Sequence, residues 1–94
     1  KAWGRVNADG TLVTGSYNIT SSAKNSTGNY TITIATDMAD TNYAVICSPH
    51  TTTGSRQVYA HTPAAAGSFT VVAFNSGNAD PVDLAFSFIV LGDQ

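Results

Sequence analysis

The chain is 94 residues long, carries a net charge of −2 with 11% charged residues, and has one cysteine, Cys47. An internal disulfide is therefore excluded, and Cys47, His50 and His61 together fall short of the roughly four ligands that close a zinc site. Glu is absent and the basic residues are Lys1, Arg5, Lys24 and Arg56 alone, which excludes the clustered basic surface needed to bind nucleic acid or an anionic membrane.

Taken in chain order, the segments alternate with period two between turn-forming residues. "KAWGRVN" opens the chain, and after the turn "NADG" come two weaker extended pieces, "TLVTG" and "SYNIT". "SSAKNSTGN" reads as a connection, because Ser, Asn and Gly dominate it. "YTITIA" sets Tyr30, Ile32 and Ile34 on one face against Thr31 and Thr33, as a half-buried strand does. "NYAVICS" places Tyr43, Val45 and Cys47 opposite Ala44 and Ile46. After the connection "PHTTTGS", "RQVYAHT" sets Val58 and Ala60 against Gln57, Tyr59 and His61. "SFTVVAFN" turns Phe69, Val71 and Ala73 one way and Thr70, Val72 and Phe74 the other. The closing run "DPVDLAFSFIVLGDQ" puts Val82, Leu84, Phe86, Phe88 and Val90 in one register.

No run shows helical spacing over ten or more residues, and none approaches the roughly 20 apolar residues of a membrane span. The expected architecture is all-β: one antiparallel β-sandwich of about six strands over residues 1–94. The chain starts with Lys1 and ends in a glycine and two polar residues after its last strand, which reads as the C-terminal piece of a longer polypeptide.

A sandwich built this way buries the Phe86 register and leaves Ile46, Val72, Phe74, Ile89 and Leu91 outside. A domain this small has a core that supplies only a few kcal/mol of net stability. Disulfide and metal being excluded, association with copies of the same chain is the expected support, and it would cover the outer apolar side chains.

For function, the residues point away from catalysis. No "GxSxG" turn presents a nucleophile, and Asp9, Asp37, Asp40, Asp80, Asp83 and Asp93 fall mostly in turns, where a carboxylate caps backbone amides. No enzyme activity, cofactor or metal is expected; only a symmetric trimer would gather three copies of His61 on one axis. The sequons at Asn18, Asn25 and Asn29 read as products of an Asn- and Thr-rich composition. A candidate ligand-binding set remains: Arg56 after a flexible loop, Asn75, Ser76, Asn78 and Asp80 in "NSGNAD", and Tyr59 or Phe74 as a stacking face. Planar donors and acceptors beside an aromatic suit sugar hydroxyls, and the plain alternative is a solvated polar rim.

"KAWGRVNADGT" followed by "SYNITSSAKNSTGNYTITIATDMADTNYAVICS" resembles the C-terminal domain of bacteriophage tail fibre and tail appendage proteins. The shared elements are the "KAW" opening, the "SYN" strand, the "TGxYT" loop end and the "NYAV" strand. The strand succession is also similar, more faintly, to the H-type lectin domain, a six-stranded trimeric sandwich that binds sugars. Arg56 approximates an arginine of those lectins, whereas their aromatic and His pair corresponds here to Phe74, Asn75 and Ser76 without a His. The resemblance implies a homotrimeric tail fibre tip, extracellular on the virion, that binds a bacterial surface glycan such as lipopolysaccharide or another polysaccharide, without nucleic acid and without membrane insertion. The alternatives are a ligand-free trimerisation cap or capsid decoration module, and a secreted lectin.

Overall fold

The computed structural model describes residues 1–51 and 54–94; Thr52 and Thr53, in the middle of the "PHTTTGS" connection, lie outside the described residues. Seven strands form, β1 (Ala2–Val6), β2 (Ile19–Ser26), β3 (Asn29–Ile34), β4 (Ala44–His50), β5 (Arg56–Ala60), β6 (Ser68–Asn75) and β7 (Ala85–Leu91), with no helix among the described residues. They make two antiparallel sheets, β1-β7-β4 and β2-β3-β6-β5. The sheets face each other across one apolar cluster, as a β-sandwich does.

The inner registers are those that period two predicts. Tyr30, Ile32 and Ile34 of β3 meet Phe69, Val71 and Ala73 of β6 on one side; Phe86, Phe88 and Val90 of β7, with Ala2 and Val6 of β1, come from the other. The aromatic rings interlock edge to face. Tyr30 and Phe86 have ring centroids 5.1 Å apart, and Phe69 and Phe88 are 5.5 Å apart. Such pairs add about 0.5–1.5 kcal/mol beyond burial, and each crosses from one sheet to the other.

Two expectations are corrected. "SSAKNSTGN" is not a connection: most of it is β2, which brings the count to seven and pairs with β3 over Ile19 to Ser26. Its polar composition hid it, since only Ile19 and Ala23 are apolar, and both of its faces are largely wet. Polar side chains and Lys24 suit an edge strand, where they discourage pairing with a foreign chain. Gly28 turns the chain from β2 into β3 with φ of 68°, and its missing side chain lets the Ala73 carbonyl approach. The second correction concerns the closing run, where the strand starts at Ala85. Val82 stands before it and is only partly buried, its N–H donating to the Ala73 carbonyl.

The ends of the sandwich are fixed by side chains from distant segments. The buried Tyr30 hydroxyl donates to the Ala8 carbonyl at 2.7 Å and accepts from the Leu84 N–H at 3.1 Å. Asp83 accepts from Lys24 Nζ at 2.8 Å and from the Gly28 N–H at 3.0 Å, and these bonds hold its carboxyl below the usual aspartate range. Tyr43, near the other end, shares its hydroxyl proton between the carbonyls of Ala65 and Ser68.

The Tyr30 hydroxyl thus ties the start and the end of the chain to the core. Tyr30→Phe leaves the Leu84 N–H and the Ala8 carbonyl without that partner, and a buried donor stripped of its bond costs about 1–3 kcal/mol. Urea unfolding followed by circular dichroism should show the midpoint fall accordingly, with the slope unchanged.

Candidate functional site

The "NSGNAD" turn is built from its own side chains. Asn75 Oδ1 accepts from the Gly77 N–H at 2.9 Å, and Asn78 Oδ1 accepts from the Asp80 N–H at 3.2 Å. The Asn75 N–H donates to the Asp80 carbonyl, closing the loop, while Ala79 adopts a φ of 60°. Asn75 and Asn78 thus each use one lone pair of the carbonyl oxygen to hold the turn, and their amide nitrogens make no hydrogen bond within it.

The structure brings part of the sequence-derived set together. Arg56 stands directly opposite Asn75 in the β5–β6 register, and the Ser76 N–H donates to the Ser55 carbonyl at 2.9 Å. Arg56, Asn75 and Ser76 thus gather at one end of the four-stranded sheet, with Asn78 and Asp80 following in the same turn. Tyr59 does not join them. Alternation along β5 places Arg56 in the register of Val58 and Ala60, which faces the sandwich, and turns Tyr59 to the outer surface. There Tyr59 packs edge-on against Phe74 with centroids 5.7 Å apart and lies the same distance from His61. The set divides into a polar rim and an aromatic platform on the outer face.

The other outer face, that of the three-stranded sheet, carries the larger apolar surface. Register aligns Trp3 with Ile89 and Ile89 with Ile46, so these three form one row across all three strands. Leu91 and Ala44 make the next row. Ile46 is 56% exposed, Ile89 48%, Leu91 50% and Trp3 51%. On the opposite side of the apolar row, Arg5, Ser87 and Ser48 form a polar one, and His50 Nε2 shares a hydrogen bond with Ser87 Oγ. The expected outer side chains Val72 and Phe74 belong to the four-stranded sheet and are half-buried. The apolar exposure is thus divided between two faces, not gathered on one.

Trp3 is the residue that sequence reasoning passed over. Its signal lay in the opening strand, where Ala2, Gly4 and Val6 take the inner register and leave the largest side chain of the segment outside.

Among the described residues no group of three His, Cys or Asp comes close enough to hold a metal ion. Burial pushes the Cys47 thiol up to about 11, so it is a protonated, inward-facing side chain at neutral pH. The His50–Ser87 pair has no carboxylate on its face to orient the imidazole, because the outer registers of β1, β7 and β4 contain none.

No family model, curated protein or solved structure matches this chain. The functional reading therefore rests on the surface geometry and on the likeness of sequence set out above.

The Cys47 assignment has a kinetic consequence. The thiolate is the reactive form, and at pH 8 a thiol with a pKa of about 11 is ionised only about one part in a thousand. Alkylation of the native chain at pH 8 should be roughly two-hundredfold slower than of the urea-unfolded chain, whose thiol titrates near the ordinary value of about 8.5. The native rate should keep rising as the pH approaches 11. A native rate that levels off near pH 9 would contradict the burial argument.

Proposed function

We propose that the chain is a non-catalytic recognition domain at the tip of a bacteriophage tail fibre, assembled as a homotrimer and binding a glycan of the bacterial surface. The observation that carries this reading is the apolar patch of Ile46, Ile89 and Leu91 on the outer face of β4 and β7. Apolar side chains left about half exposed on a small sheet mark a surface that another chain covers. Removing the remaining exposed half of Ile46, Ile89 and Leu91 from water contributes about 1 kcal/mol each, a useful fraction of the stability a core this size supplies. A copy of the same chain is the natural cover for a surface that every copy carries. Binding by such a tip is multivalent, with each weak site strengthened by linkage to the others.

The polar rim of Arg56, Asn75, Ser76, Asn78 and Asp80 is the first candidate for the glycan contact, with Tyr59 on the adjoining face. One observation favours the ligand-free alternative, a trimerisation cap: Asn75 and Asn78 already use one lone pair of each carbonyl oxygen to hold the turn. A glycan array separates the two, since a cap binds no member of it.

For assembly, native mass spectrometry should report three chains, and Ile46→Lys together with Ile89→Lys should give a folded monomer. A wild-type monomer at micromolar concentration would remove the trimer. For recognition, Arg56→Ala should lower adsorption of the fibre to host cells while leaving its oligomeric state unchanged. Full adsorption would take Arg56 out of the site.

A further inference from the structure

The outer face of the three-stranded sheet is not uniform. Toward the Ala44 end of β4 it is apolar. Toward β1 it becomes concave, because the chain after β1 folds back along that strand. The Val13 N–H donates to the Arg5 carbonyl at 2.9 Å and the Tyr17 N–H to the Trp3 carbonyl at 2.8 Å, while between them Gly15 is open and Ser16 packs on Gly4. Ser16 Oγ donates to the Val13 carbonyl and closes this loop. Gly4 admits it, since a Cβ there would come within 2.6 Å of Ser16 Oγ. The result is a cleft of about 460 Å³ whose walls include Trp3, Arg5, Thr14, Ser16, Ser87 and Ile89. That volume lies within the range of about 300–1,000 Å³ typical of small-ligand sites.

Its chemistry is specific. Trp3 stacks on Tyr17 with centroids 6.2 Å apart and planes 20° from parallel, and its side chain stays 51% exposed. An indole held this way offers a flat apolar face with a polar N–H at its edge. Thr14 brings a hydroxyl able to donate and accept, and the Ser87 hydroxyl, already bonded to His50 Nε2, keeps acceptor capacity for a ligand. Arg5 makes no ion pair and no side-chain hydrogen bond among the described residues. The outer registers of β1, β7 and β4, with Lys1 just ahead of β1, carry Lys1, Arg5 and His50 but no carboxylate, although the chain as a whole has a net charge of −2. The Asp side chains all lie outside these strands. This face is the part of the molecule that complements an anion, and a guanidinium fork matches a carboxylate in particular.

We propose that this cleft binds an acidic sugar residue, with the apolar face of its ring on Trp3, its carboxylate on Arg5 and its hydroxyls at Thr14 and Ser87. A saccharide carrying a carboxylate is the ligand that uses an aromatic platform, an unpaired guanidinium and hydroxyl partners together. The choice of a sugar rests on the glycan-recognition reading, but the site shares no residue with the Arg56 rim.

Trp3 is the only tryptophan in the chain, so its fluorescence reports on the cleft directly. The intact domain is titrated with oligosaccharides ending in galacturonic, glucuronic, mannuronic and N-acetylneuraminic acid, with the methyl ester of each, and with neutral galacto-oligosaccharides. At least one acid should change the emission saturably at millimolar concentration or below, and its ester should bind more weakly. Arg5→Ala should weaken binding roughly tenfold or more, as loss of a charge-assisted hydrogen bond predicts, with an unchanged urea midpoint. Lys24→Gln, which removes one charge from the other sheet, should bind as the unaltered chain does. The proposal is overturned if no acid in the panel alters the emission, if esters bind as well as acids, or if Arg5→Ala keeps full affinity. It is equally overturned if acrylamide cannot quench Trp3 in the unliganded assembly, because a neighbouring copy then fills the cleft. Failure of the titration alongside normal adsorption to host cells leaves the tail fibre reading standing; a saturable titration with no adsorption does the reverse.

Discussion

The structure depends on four aromatic rings meeting between two sheets. Tyr30 and Phe69 come from the four-stranded sheet, Phe86 and Phe88 from the three-stranded one, and the edge-to-face pairs Tyr30–Phe86 and Phe69–Phe88 bridge the gap. The three-stranded sheet has no other large side chains to contribute, since β1 offers only Ala2, Gly4 and Val6 inward and β4 offers Val45 and Cys47. The small inner residues of β1 are a condition of this packing: Gly4 lies against the ring of Phe88, and a Cβ at that position would meet it at 3.0 Å. Tyr30 adds a polar constraint, its hydroxyl fixing Ala8 and Leu84 at opposite ends of the chain.

Both core and surface are organised by β7. It is the central strand of the smaller sheet, pairing with β1 on one side and β4 on the other. Its inward residues Phe86, Phe88 and Val90 are fully buried, and its outward residues Ser87 and Ile89 form the middle of the two rows that span all three strands. Because side chains alternate strictly along a strand, the placement of the Phe86 register determines which side chains reach the surface. A one-residue slip would put Ile89 and Leu91 inside and expose the two phenylalanines. The apolar outer row is therefore held in register by the same contacts that stabilise the sandwich.

Strands with one clearly apolar register, such as those of Tyr30, Phe69 and Phe86, are legible from the amino-acid sequence because the core selects one face. β2 was not legible. Its pairing with β3 is a backbone matter, and Ser21, Ser22, Lys24 and Asn25 give no periodicity to read. The candidate binding set was legible as a cluster, since Arg56 and Asn75 do end up opposite each other. The separation of Tyr59 followed from alternation within β5, which sets residues three apart on opposite faces. Trp3 and Arg5 escaped notice for a different reason. Their importance depends on the return of residues 11–17 along β1, and that return is made by backbone bonds at Val13 and Tyr17 that carry no sequence signature.

The contrast between the two outer faces bears on how a short chain divides its surface. The outer face of the four-stranded sheet is lined by Thr31, Thr33 and Thr70, with Tyr59 and Phe74 packed against each other at one side, so its aromatic surface is partly self-covered. On the three-stranded sheet the aromatic pair Trp3 and Tyr17 stays about half exposed although a neighbouring loop lies within reach. An exposed tryptophan on an edge strand is a hazard, because an open edge invites pairing with foreign chains. Here the edge is closed by the bonds from Val13 and Tyr17, while the ring itself is left accessible. The backbone of this edge is thus protected while the Trp3 side chain stays half exposed, so the two properties are set independently, the first by the returning loop and the second by the register of β1.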